Sequence, residues 1–108
     1  MSIIIEQVWM EICSLDEIPV LGARVVQQSG KQKVALFRNQ QDEVFAVDDR
    51  CPHKGGPLSQ GIVFGSRVAC PLHNWVIELE TGEAVTPDKG CTRRYSTKVE
   101  SGRVWILW

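Results

Sequence analysis

The sequence predicts an all-β domain, and three observations carry that reading. No stretch longer than one turn has the apolar period of a helix. Short runs of β-branched and aromatic residues recur along the chain, at the spacing of about eight to twelve residues expected of small sandwiches and barrels. Between them stand Gly, Asn, Asp, Ser and Pro in the combinations that reverse a chain. With 108 residues, 44% hydrophobic and 23% charged, the composition is that of one globular domain. The expected architecture is therefore a single domain, 1–108, of stacked antiparallel sheets forming a small barrel or sandwich.

Residues 8–13 (V-W-M-E-I-C) and 23–28 (A-R-V-V-Q-Q) are β-branched and partly alternating, which suits strands with one buried face. Between them Ser14-Leu15-Asp16-Glu17 has the S-x-x-E form of a capping box, and Pro19 ends anything helical, so a single turn is expected. Residues 33–38 (K-V-A-L-F-R) and 43–48 (E-V-F-A-V-D) flank the polar Asn39-Gln40-Gln41-Asp42 and read as a hairpin. Their apolar residues fall at both parities, which predicts burial on most of both faces. Residues 61–64 (G-I-V-F) and 67–70 (R-V-A-C) are joined by Gly65-Ser66, where glycine supplies the positive φ of a tight turn. A turn at Thr81-Gly82 links 75–79 (W-V-I-E-L) to a strand at 83–85, 86–90 is loop by composition, and 94–100 pairs with 103–108 around Ser101-Gly102. Within this plan, residues from about 49 to 80 form a smaller inserted subdomain, set on a base of N- and C-terminal strands.

Charge and hydropathy exclude some partners. The net charge of -1 and pI near 6.1 arise from interspersed signs, leaving no broad basic surface for a phosphate backbone. Apolar runs such as Ile3-Ile4-Ile5 and Trp105-Ile106-Leu107-Trp108 fall far short of the roughly 20 residues that cross a bilayer. The first residues also lack the pattern of a signal peptide. Neither nucleic acid nor membrane is expected as a partner, and the expected compartment is the cytoplasm. There, cysteine beside histidine reads as a metal ligand before it reads as half a disulfide.

Both histidines of the chain lie in two matched loops, Cys51-Pro52-His53 and Cys70-Pro71-Leu72-His73. Each offers one thiolate and one imidazole. Two soft thiolates and two imidazoles suit one tetrahedral zinc or a two-iron cluster of mixed ligation. Zinc fingers usually group cysteines with cysteines, whereas each loop here mixes the two kinds, which favours iron: Cys51 and Cys70 on one iron, His53 and His73 on the other. Pro52 and Pro71 bias the ligand cysteines toward extended backbone, while Gly55 and Gly56 allow main chain to approach inorganic sulfide.

Cys51-x-His53, a sixteen-residue spacer and Cys70-x2-His73 resemble the Rieske [2Fe-2S] family, whose fold of stacked antiparallel sheets agrees with the all-β reading. C-P-H-K-G-G-P-L-S-Q-G-I-V, C-P-L-H-N-W and L-E-T-G-E-A are more closely similar to the small subunit of bacterial NAD(P)H-dependent nitrite reductase. That resemblance implies a large-subunit partner carrying FAD, siroheme and the NAD(P)H site, with nitrite reduced to ammonia there. The present chain has no Gly-rich nucleotide turn, so its implied share is electron transfer, docking or both, with no catalytic site of its own. The same features leave a Rieske ferredoxin of an aromatic-ring dioxygenase system as the alternative, and a structural zinc module as a further rival. Respiratory members of the family carry a disulfide between the loops and Ser and Tyr hydroxyls near the cluster; the matching positions here are Gly56 and Leu72, then Trp75 and Ile77. Losing those donors predicts a potential toward the low end of the Rieske range of about -150 to +300 mV.

Leu58, Leu72 and Trp75 are expected to shield the cluster, and Lys54 to be solvated or to meet an acidic partner surface. Cys13 and Cys91 have no second ligand at metal spacing and read as buried thiols. Trp105 and Trp108 fall on opposite faces of the last strand, with Trp108 the candidate for an exposed contact; Arg93 and Arg94 read as solvated edge charges.

Overall fold

The run Val34-Ala35-Leu36-Phe37 has no polar position, and it becomes the middle of the molecule. The computed structural model describes residues 7–72 and 74–108, so Ile3 to Ile5 and His73 lie outside the described residues. Among the described residues ten strands follow in order: β1 (Trp9–Ser14), β2 (Gly22–Val26), β3 (Val34–Arg38), β4 (Val44–Asp48), β5 (Ile62–Phe64), β6 (Arg67–Ala69), β7 (Val76–Glu78), β8 (Arg94–Tyr95), β9 (Thr97–Glu100) and β10 (Arg103–Leu107). They form three sheets, β1-β10-β9, β2-β3-β4-β8 and β5-β6-β7, with every pairing antiparallel. The all-β, stacked-sheet expectation holds.

Successive side chains of a strand point to opposite faces. On the central sheet Val34, Leu36, Val44 and Ala46 therefore join Cys13, Ile18, Tyr95, Val104 and Ile106 in one core. Ala35, Phe37 and Val47 join a second core with Leu58, Val63, Val68, Ile77 and Leu79. The register, Ala35 against Val47 and Leu36 against Ala46, keeps each set on its own face. One sheet thus separates two cores. Strands β5, β6 and β7 pack on one face of this central sheet, which is built from strands that precede residue 49 and follow residue 80, while β1 and β10 cover the other face.

Polar side chains tie the layers together. Ser14 N–H donates to Glu17 Oε1 at 3.2 Å in the expected capping box, and Arg38 Nη1 donates to the carbonyls of Leu15 and Ile18 at 3.3 and 3.0 Å. Asn39 is fully buried, yet Oδ1 accepts from the N–H groups of Gln41 and Glu43 while Nδ2 donates to Glu43 Oε1 and to the Gly65 carbonyl. A buried amide with all these partners carries no desolvation penalty for missing hydrogen bonds, and it locks the β3–β4 hairpin to the β5–β6 turn. Gly65 has φ +58, as the tight connection requires.

Several elements depart from expectation. Residues 83–85 make only isolated bridges, Ile77 to Ala84 and Glu83 to Cys91. The run 94–100 is divided at Ser96, with β8 in the central sheet and β9 beside β10. Tyr95 OH donates to Asp48 Oδ1 at 2.8 Å on one side of the break, and Thr97 Oγ1 to the Val44 carbonyl at 2.7 Å on the other. A 3₁₀ turn at Leu58–Gln60 has no counterpart in the sequence reading. Trp108 is the inward tryptophan, partly buried against the first core with its ring 6.3 Å from Tyr95. Trp105 lies on the opposite face under the Lys98 ammonium, because Val104 and Ile106 take the buried parity of β10.

Candidate metal centre

The first loop begins where β4 ends. Asp49 accepts from both the N–H and the hydroxyl of Ser59, at 2.7 and 2.8 Å, and so pins the Leu58–Gln60 turn to the start of the loop. Cys51 N–H donates to the Gly56 carbonyl, and Gly55 N–H to the Cys51 carbonyl, each at 2.8 Å. These two bonds close a bend that carries Pro52, His53 and Lys54 at its outer side. The second loop leaves β6. Cys70 N–H donates to the Trp75 carbonyl at 2.7 Å, and Asn74 turns the chain at φ +56, a conformation asparagine tolerates.

Both thiols face inward. Cys51 and Cys70 belong to the second core and are 1% and 0% exposed. Burial pushes the Cys70 thiol above its ordinary value; the Leu72 backbone opposes this, and the adjoining Cys51 thiol adds to it through hydrogen bonding and charge. The two side chains are therefore immediate neighbours. His53 stacks on Trp75 with ring centroids 4.4 Å apart and planes 9° from parallel, so the second loop orients the imidazole of the first. A Cβ at Gly56 would lie 2.6 Å from Leu72 Cδ1 and 3.7 Å from Cys70 Sγ, which explains why the close approach of the loops needs glycine.

Of the four expected ligands, the structure brings Cys51 and Cys70 together and sets His53 against Trp75; His73 lies outside the described residues. Among the described residues no three His, Cys, Asp or Glu side chains group as a site for a single ion. Two adjoining buried thiols, with an imidazole held nearby by stacking, fit the soft and borderline donors of an iron–sulfur cluster. Leu58 is fully buried in the same core, Trp75 packs against it, and Leu72 is 41% exposed at the rim. Among the described residues no helix is long and apolar enough to cross a membrane.

The other cysteines differ from one another. Cys13 is buried in the first core, where burial pushes its thiol up. Cys91, expected to be buried, is exposed instead and lines a cavity of about 450 Å³ whose wall includes Cys51 and His53. Its bridge to Glu83 places it at the end of a loop rather than in a strand facing a core. Arg93, expected to be a solvated edge charge, lies over the Tyr95 ring at 4.9 Å and lines the same cavity. Sequence reasoning also missed the Asp49–Ser59 clasp, for which a separation of ten positions leaves no local signal.

The model of the Rieske-like [2Fe-2S] domain matches residues 8–107. The chain is 36% identical over 97 residues to the 3-phenylpropionate/cinnamic acid dioxygenase ferredoxin subunit of Photorhabdus laumondii subsp. laumondii, covering 88% of this chain and 90% of that one. It is 34% identical over 106 residues to the nitrite reductase [NAD(P)H] large subunit of Klebsiella oxytoca, covering 91% of this chain but 11% of that protein. It likewise spans only 23% of a 37% identical 4beta-methylsterol monooxygenase of Methylococcus capsulatus. A solved structure assigned as an NADH-dependent nitrite reductase small subunit of Mycobacterium tuberculosis superposes with a TM-score of 0.82 at 26% identity, covering 93% of this chain and 94% of that one. The chain belongs to the Rieske-like [2Fe-2S] domain family, and its cofactor is a Rieske-type [2Fe-2S] cluster.

Proposed function

We propose that this chain is the cluster-bearing small subunit of an assimilatory NAD(P)H-dependent nitrite reductase, with Cys51, His53, Cys70 and His73 as the cluster ligands. The segment from about 49 to 80 is then the part that carries the cluster. The cluster, when bound, supplies a one-electron carrier. What this chain adds is position and shelter: the second core keeps Cys51 and Cys70 dry, Trp75 orients His53, and Leu72 covers the gap between the loops. The partner in this reading is a large subunit holding FAD, siroheme and the NAD(P)H site, and the small chain performs no chemistry on nitrite itself.

The observation that carries the reading is the 34% identity over 106 residues to a stretch of a nitrite reductase polypeptide. A domain of this kind is built into that enzyme. The fold likeness to a nitrite reductase small subunit over nearly the whole of both chains supports it. The 36% identity to a dioxygenase ferredoxin subunit favours a second reading, a Rieske ferredoxin serving an aromatic-ring oxygenase. Anaerobic co-expression with each class of partner separates the two. Co-purification with the siroheme subunit, and NAD(P)H-dependent nitrite reduction that drops when this chain is withheld, is the expected result. Stable pairing with an oxygenase, and none with the siroheme protein, overturns it.

A further inference from the structure

Arg24, Arg38, Arg67, Lys98 and Arg103 each pair with a carboxylate. Arg50, Lys54 and Arg93 pair with none among the described residues, and all three line the cavity of about 450 Å³ that Cys51 and His53 also wall. The one carboxylate in that lining, Asp48, accepts a hydrogen bond from Tyr95 OH at 2.8 Å. A protein of net charge -1 has thus set three cations against one engaged carboxylate in a single cleft. Arg93 is held in place over the Tyr95 ring, so one cation is oriented in advance. A second cavity, of about 580 Å³, shares Asp48 and Arg93 and adds Lys31, extending the basic strip away from the cluster loops.

We infer that this cleft receives an acidic surface segment of a protein partner, whose Asp or Glu side chains reach Arg50, Lys54 and Arg93. The inference rests on the electron-transfer reading above only for the purpose of the docking. Cations this exposed contribute little each to affinity. Their summed field speeds encounter and weakens with salt. The geometry places such a partner against the wall formed by Cys51 and His53, beside the proposed ligands.

The test titrates a fluorescein-labelled hexaglutamate peptide into the iron-loaded full chain and follows anisotropy. Binding is expected at low salt, weakening about tenfold or more as ionic strength rises past physiological levels. Arg93→Gln, outside the ligand loops in sequence, and the double variant Arg50→Gln/Lys54→Gln are each expected to weaken it about fivefold or more. Lys98→Gln, on another sheet, is expected to leave it unchanged, and visible absorption monitors the cluster throughout. No binding, or binding indifferent to Arg93→Gln and to the double variant, overturns the inference. A parallel titration with the siroheme subunit separates this inference from the functional reading. Peptide binding that needs these cations, with no affinity for that subunit, upholds the cleft and discards nitrite reductase. Subunit binding unaffected by the same substitutions discards the cleft alone.

Discussion

The two faces of the central sheet make a useful comparison. On one side β1 and β10, six and five residues long, cover an aliphatic core closed by Tyr95 and Trp108. On the other, β5, β6 and β7 have three residues each, and the core beneath them includes two thiols. Strands so short form few ladder bonds, and polar clasps supply the rest. Ser66 Oγ and Arg67 Nε hold the Glu78 carboxylate at 2.7 and 3.0 Å, Asn39 reaches Gly65, and Asp49 grips Ser59. The difference is a division of labour: long strands close the first core, whereas short strands and polar clasps close the second, which holds the Cys51 and Cys70 thiols.

Buried thiols on both sides allow the sharpest break of this comparison. Cys70→Ala should abolish the cluster, read as loss of iron and visible absorption. Cys13→Ala should keep the full iron content and cost on the order of 1 kcal/mol in chemical denaturation. Loss of iron from both variants would mean that the cores do not act separately. Adjacent residues of β3 provide the next test. Phe37→Ala should cost about 3–5 kcal/mol and shorten the lifetime of the cluster in air, whereas Leu36→Ala, at about 2–5 kcal/mol, should lower the denaturation midpoint with little effect on that lifetime. Gly56→Ala forces a Cβ against Leu72 and should destabilise the holoprotein by about 1–3 kcal/mol, with Leu72→Ala restoring much of it.

The smallest effects are in pH dependence, and they have opposite signs on the two sides. Burial pushes the Glu78 carboxyl up, but the Ser66 hydroxyl and Arg67 outweigh it, leaving the group below its ordinary value. Its contribution is whole above the ordinary carboxylate range and disappears as pH falls through the lowered value, loosening β6–β7 in acid. Burial, with the Asp48 carboxylate beside it, pushes the Tyr95 phenol up to about 12. That contribution is whole below 10 and disappears as pH rises toward about 12, where phenolate absorbance should report the transition. Tyr95→Phe should remove it at a cost of about 1 kcal/mol.

Much of this was readable in the chain, for physical reasons. Apolar residues at both parities of 34–37 require two buried faces, S-x-x-E requires a capped turn, and Gly65 marks a tight reversal. Cysteine near histidine in both loops points to iron–sulfur chemistry before any fold is known, and the match to the Rieske-like [2Fe-2S] domain agrees with that chemistry. What stayed hidden depends on distant contacts. The stretch Arg94-Tyr95-Ser96-Thr97 has continuous β propensity, and only Asp48 and Val44, some fifty residues away, divide it between sheets. Parity separates Trp105 from Trp108, but which face is buried is set by the partner sheet packed on Val104 and Ile106. Cys91 likewise acquires its position beside the cleft from the return of a loop that carries no local signal of its destination.

Electron–nuclear double resonance of the reduced protein, purified without oxygen, tests the central claim most directly. The account predicts nitrogen couplings from two imidazoles on one iron of a two-iron centre, both disappearing from their native pattern when His53 is replaced. A spectrum with no nitrogen coupling, as an all-thiolate cluster would produce, contradicts it.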